Sequence, residues 1–242
     1  MEVRGLGTLI TGGSRGLGAA LGRTLARRGG RVALVARGAR DLEAVVDEIG
    51  AAGGEAHGIA ADVGNKNDVY PIAGAAAALV GPIDLLIHNA SSLGPTPLPF
   101  LLDTACEDFE KVLATNLVGP FRLSKAIAGS MALRGRGLVV HITSDAGVVP
   151  YAHWGAYGVS KAALDQLGRI WAEELGDAGV RFLTIDPGEM DTAMHAAAMP
   201  DAERSALTRP EDAAARIAEI LTSAETIENG SRIDAFAWRP AA

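Results

Sequence analysis

Tyr157, Lys161 and Ser144 are the residues whose types and spacing bear most directly on chemistry. Tyr157-Gly-Val-Ser-Lys161 places a phenol and an ammonium at i and i+4, on one face of the helix expected over residues 156–176. An ammonium so placed stabilises the phenolate. It is expected to draw the tyrosine from its reference pKa of ~10 toward neutrality, where a general acid–base is effective. Ser144, thirteen residues before the tyrosine, adds a hydroxyl able to polarise a carbonyl. Tyrosine–lysine pairs at this spacing also decorate many solvated helices, so a second element is needed.

That element stands near the N-terminus. Residues 6–11 read as an apolar strand, Thr11-Gly-Gly-Ser-Arg-Gly-Leu-Gly18 as a glycine-rich turn and 19–28 as a helix with Leu21 and Leu25 at helical spacing. Gly12, Gly16 and Gly18 let the chain turn tightly and let a pyrophosphate approach the amides at the helix N-terminus; Ser14, Arg15 and Leu17 lie between them. The order is Gly-x-x-x-Gly-x-Gly, a variant of the Gly-x-Gly-x-x-Gly dinucleotide fingerprint. The next apolar segment, 31–36, ends without the acidic residue that would bind a ribose 2′-hydroxyl. Arg37 stands there instead. With Arg15 it offers two guanidinium groups to a 2′-phosphate, which makes NADP(H) the expected cofactor; the alternative is that Arg37 and Arg40 are solvated loop charges.

Further apolar runs at 55–60, 83–88, 137–143, 180–185 and 231–236 alternate with helical stretches. The expected fold is a single α/β domain over 1–242, a doubly wound parallel sheet of about seven strands with helices on both faces. In that architecture the strands' carboxyl ends deliver the glycine turn, Arg37, Asp62, Asn89, Ser144 and Pro187 to one edge. Segment 188–210 has little strand character and is expected to form a short lid over substrate. A net charge of −7 argues against nucleic acid or an anionic membrane as partner. One cysteine, Cys106, precludes an internal disulfide, and no apolar run approaches the ~20 residues of a membrane span, so a cytoplasmic protein is expected. The five histidines lack metal-ligand spacing and no metal is expected; His153 and His195 are surface or core residues, or border the substrate pocket.

With the glycine turn, Asn89-Ala90, Asn116, Ser144, Tyr157-x-x-x-Lys161 and Pro187-Gly188 in order, the chain resembles the short-chain dehydrogenase/reductase family, a Rossmann-like fold. The resemblance implies Tyr157 as proton donor, Lys161 as the group that holds the nicotinamide ribose, Ser144 on the substrate oxygen and Asn116 anchoring a relay water. It also implies that Asp62 and Val63 border the adenine, that Asn89, Ala90 and Ser91 line the cleft, and that Pro187, Gly188, Met190 and Thr192 surround the nicotinamide. The substrate class is then a carbonyl compound or alcohol. Residues 87–98 also resemble pteridine reductases, but Gly16, Ser144 and Leu93 depart from that branch, leaving pterin reduction as an alternative beside a non-catalytic cofactor sensor or scaffold. A homotetramer, or a dimer, is further implied. Leu164, Leu167, Trp171 and Leu175 form an apolar stripe with small residues Ala162, Ala163 and Gly168 nearby, and 233–238 offers a second apolar surface.

Overall fold

Alternation of side chains along strands lets one sheet serve two cores. A computed structural model of the chain describes residues 2–240. Its strands are β1 (Gly7–Thr11), β2 (Arg31–Ala36), β3 (Glu55–Ala60), β4 (Ile83–His88), β5 (Gly137–Ile142), β6 (Val180–Asp186) and β7 (Arg232–Asp234). They form one parallel seven-stranded sheet in the order β3-β2-β1-β4-β5-β6-β7. Ile10, Leu34, Ile87, Val140 and Leu183 face α1 (Gly16–Arg27), α2 (Ala39–Ala51) and α8 (Pro210–Thr222). Leu9, Val35, Leu86, Val139 and Phe182, one residue out of phase, face α3 (Val69–Val80), α5 (Gly119–Leu133) and α6 (Gly155–Leu175). The short α4 (Cys106–Leu113) runs into α5 through a π-helical turn, Ala114–Val118. Chain direction across the sheet reverses between β1 and β4, and such a switch point opens a crevice at the strands' carboxyl ends.

Several expectations change in detail. The last strand is shorter than 231–236, because only 232–234 pair with β6. Ile233 and Ala235 enter the core and Trp238 packs against it under the Arg216 guanidinium, so of the large apolar side chains in 233–238 Phe236 alone is left exposed. On α6, Leu164 is buried while Leu167, Trp171 and Leu175 are half-buried. Gly168 faces the sheet: a Cβ there would lie 3.0 Å from His141 Nδ1 and from Thr184 Oγ1. Its small size serves packing within the chain. Segment 188–210 holds α7 (Ala193–Ala198) and is clipped at its base, where Met190 bridges Thr208 and Arg204 pairs with Asp191. Among the described residues, no helix is long and apolar enough to cross a membrane.

Candidate active site

The crevice is a cleft of about 970 Å³ running from the glycine turn to the start of α6. Gly18 does not line it but makes the turn possible, since a Cβ at that position would come 2.1 Å from the Gly12 carbonyl oxygen. Gly16, at φ +53, starts α1 in a conformation that favours glycine. Asn89 lines the cleft with its backbone neighbours, yet its side-chain amide donates to the carbonyls of Thr11 (2.9 Å) and Gly12 (3.2 Å). It therefore braces the turn. Thr11 completes the brace by accepting from the amides of Asn89 and Ala90, each at 3.1 Å.

Ser14, Arg15, Leu17 and Arg37 line the same end of the cleft. Both arginines are exposed, and neither has an ion-pair partner among the described residues. Asp62 and Val63 follow β3, with Asp62 Oδ1 accepting from the Gly64 amide at 2.9 Å. Ala90 and Ser91 line the cleft as well, Ser91 within hydrogen-bonding reach of the Tyr157 phenol. Pro187, Gly188, Met190 and Thr192 form the opposite wall, where Thr192 stands across from Gly16 and its Oγ1 caps α7 by accepting from the His195 amide at 3.1 Å. A narrow turn of glycines at a helix start, a long cleft and two unpaired guanidinium groups fit a phosphorylated dinucleotide.

Ser144, Tyr157 and Lys161 meet at the sheet's carboxyl edge. Lys161, almost fully buried, donates from Nζ to the Ile142 carbonyl at 2.8 Å and stands 5.4 Å from the centre of the Tyr157 ring. Burial draws its ammonium down to about 8, opposed by the carboxylates of Asp165 and Asp186. Tyr157 departs from the expectation that the lysine would lower it. Burial pushes the phenol up to about 12; hydrogen bonding with Ser144 and Ser91 opposes that, while the charges of Asp186 and Asp145 add to it. The phenol is therefore held protonated at neutral pH.

Asn116, on the π-helical turn, does not line the cleft. It is buried behind it, with Oδ1 accepting from the Ser92 amide (2.7 Å) and Nδ2 donating to the Ser92 carbonyl and Ser160 Oγ (each 2.9 Å). The side chain thus ties the segment after β4 to α6. His153 is exposed, bonded through Nδ1 to the Leu98 carbonyl at 3.0 Å and packed at a tilt against Phe100. His195 lies on α7 with a buried Nε2 that lacks a hydrogen-bond partner.

Sequence reasoning missed Asp145, which accepts from Ser144 Oγ at 2.9 Å and from the Tyr151 hydroxyl at 2.8 Å. It also missed Asp165, Asp186 and Arg232, an ion-paired group behind the catalytic edge. Asp145 adjoins Ser144 in the chain and was open to notice; the others come together only through the fold.

Residues 7–203 match the profile of the short chain dehydrogenase family. An uncharacterised oxidoreductase of Thermotoga maritima is 35% identical over 188 residues, covering 78% of this chain and 73% of that protein. The crystal structure of a metagenomic short-chain oxidoreductase in complex with NADP superposes with a TM-score of 0.82 at 33% identity, covering all of both chains. A 7α-hydroxysteroid dehydrogenase complexed with NADH and 7-oxo glycochenodeoxycholic acid gives 0.87 at 29% identity, covering 96% of this chain and 94% of that one. On the profile match, the identity and the shared fold, the chain belongs to the short-chain dehydrogenase/reductase family.

Proposed function

We propose that the protein is an NADP(H)-dependent oxidoreductase that interconverts a ketone or aldehyde and the corresponding alcohol. The observation that carries the reading is a protonated, half-buried phenol beside a serine hydroxyl and a buried lysine, at one end of a cleft whose other end presents two unpaired guanidinium groups. The bound cofactor would supply or accept the hydride. Tyr157 gives its proton to the carbonyl oxygen as that oxygen becomes an alcohol, and takes one back in the reverse direction. Ser144 supplies a hydroxyl to the same oxygen. Lys161 contributes positive charge near the phenolate that forms, and Asn116 holds the segment carrying Ser92 against α6. Because the side chain of Asn116 is committed to protein partners, we assign it this bracing role.

Arg15 and Arg37 support NADP(H) over NAD(H), although structural relatives are described with either cofactor. Arg37→Asp should erase a wild-type preference for NADPH, because it replaces a guanidinium with a group that repels the 2′-phosphate and accepts from a 2′-hydroxyl. Fluorescence titration of both reduced cofactors tests this; equal dissociation constants in the wild type would refute the assignment. Pterin reduction is not favoured, since Ser144 provides no carboxyl group and Leu93 no stacking surface. A sensor would have no use for a proton donor.

A cytoplasmic homo-oligomer, a tetramer or a dimer, completes the reading. Phe121, Val159 and Ile170 leave apolar surface exposed on α5 and α6, which favours burial against a second copy through a two-fold axis. Light scattering should give a multiple of the chain mass at micromolar concentration. A monomeric mass for fully active enzyme would rule the assembly out.

A further inference from the structure

Three segments that carry the proposed machinery are joined by one side chain from β7. Arg232 Nε donates to Asp165 Oδ2 at 3.1 Å, and its Nη2 donates to Asp186 Oδ2 at 2.8 Å and to the Ser144 carbonyl at 3.0 Å. Asp165 lies on α6 one turn beyond Lys161, and both face the interior. Asp186 ends β6, and its other oxygen accepts from the Gly188 amide at 3.0 Å, fixing the turn that begins the nicotinamide wall. The arginine side chain is only 21% exposed, and those of Asp165 and Asp186 are 6% and 11% exposed. Arg232 lies beyond the residues matched by the family profile.

We propose that Arg232 is a positioning residue for the catalytic edge, locking the Ser144 backbone, helix α6 and the end of β6 into one unit and sharing its charge between the carboxylates that face Lys161. The inference rests on the oxidoreductase reading for its consequence in turnover, but not for its effect on Lys161. Two anionic partners and a carbonyl suit a planar guanidinium fork, which can donate along separate directions; a lysine ammonium is a compact charge that cannot span them. The groups facing Lys161 are Tyr157 and Asp165 on its own helix, His141 on β5, Asp186 on β6 and, through the two carboxylates, Arg232 on β7. His141 is neutral at ordinary pH. Removing the arginine lets burial push Asp165 still further up, and leaves Asp186 as the carboxylate that Lys161 alone must balance. The lysine should then keep its proton to higher pH.

The test compares wild type with Arg232→Met and Arg232→Lys, following ionisation of Lys161 by NMR in the full chain, with its resonance assigned by its loss in Lys161→Met. Arg232→Met is expected to raise the Lys161 midpoint by about one unit or more. Arg232→Lys should leave it near the wild-type value. In turnover, both variants should lose at least about tenfold in kcat, with a smaller change in KM, because the charge alone does not restore the three-way fork. Arg232→Gln replaces Arg232→Met if the latter fails to fold. Identical Lys161 midpoints in wild type and the uncharged variant would overturn the proposal, as would unchanged kcat. Absence of any NADPH-linked turnover in wild type would count against the oxidoreductase reading alone, and the NMR comparison would still decide the role of Arg232.

Discussion

Tyr157→Phe is expected to lower turnover by ~10²–10⁴, the usual loss when a general acid is removed, while leaving NADPH binding nearly normal. The substitution deletes one oxygen and preserves the ring that packs edge-on against Trp154 at 5.5 Å between centroids. Binding should survive because the glycine turn and the two arginines stand at the other end of the cleft. The pH dependence follows from the same group. A phenol pushed up to about 12 remains a proton donor throughout the neutral range, so carbonyl reduction should not fall through any ionisation of Tyr157 below that value. An alkaline decline near pH 8 would instead report Lys161 losing its charge. Turnover retained by Tyr157→Phe with a verified substrate would move the proton donor elsewhere.

Acid sensitivity should arise from the buried pair His88 and His141, whose ordinary protonation the fold opposes. The His141 ring is fully buried on β5, 5.2 Å from the ring of His88, and burial draws it down to about 3; the Leu164 backbone favours the charged form and Lys161 opposes it. His88, hydrogen-bonded to Ser124 Oγ at 2.8 Å, is held well below its ordinary value by burial and by His141. In the unfolded chain a histidine takes up a proton near its ordinary pKa of ~6.5. Below that pH the unfolded state binds a proton that the folded state refuses. Stability is therefore complete above about 6.5 and is lost progressively as pH falls toward about 3, by up to ~5 kcal/mol for His141 alone. His141→Leu removes this titration. In urea unfolding, its stability relative to wild type should improve by ~3 kcal/mol between pH 7 and pH 4. Parallel stability curves for the two proteins would show that the ring is not held neutral by the fold.

The strands were legible because their apolar runs are short, β-branched and punctuated by glycine, and because alternation places consecutive residues in different cores. The glycine turn and the Tyr157–Lys161 pair were equally readable, since both are local: each needs only a helix whose start or face the sequence announces. What the sequence concealed is long-range. Arg232 meets Ser144, Asp165 and Asp186 across separations of 88, 67 and 46 residues, which no spacing rule connects. The pKa of Tyr157 was misjudged for the same reason, because the nearby lysine is local and visible whereas burial depends on tertiary packing. Gly168 and Ile233 face the sheet and the core, an orientation set by tertiary packing and not by their place in an apolar stripe.

Transfer of deuterium from NADPH dideuterated at nicotinamide C4 to a carbonyl carbon would identify the reaction itself. Purified protein would be incubated with the labelled cofactor and a panel of ketones, aldehydes and pterins, and products read by mass spectrometry. Deuterated secondary or primary alcohol is expected from at least one carbonyl compound, with the label absent when Tyr157→Phe replaces wild type over the same interval. Deuterium appearing only in a reduced pterin, or in no product although NADPH binds, would contradict the proposed carbonyl reduction.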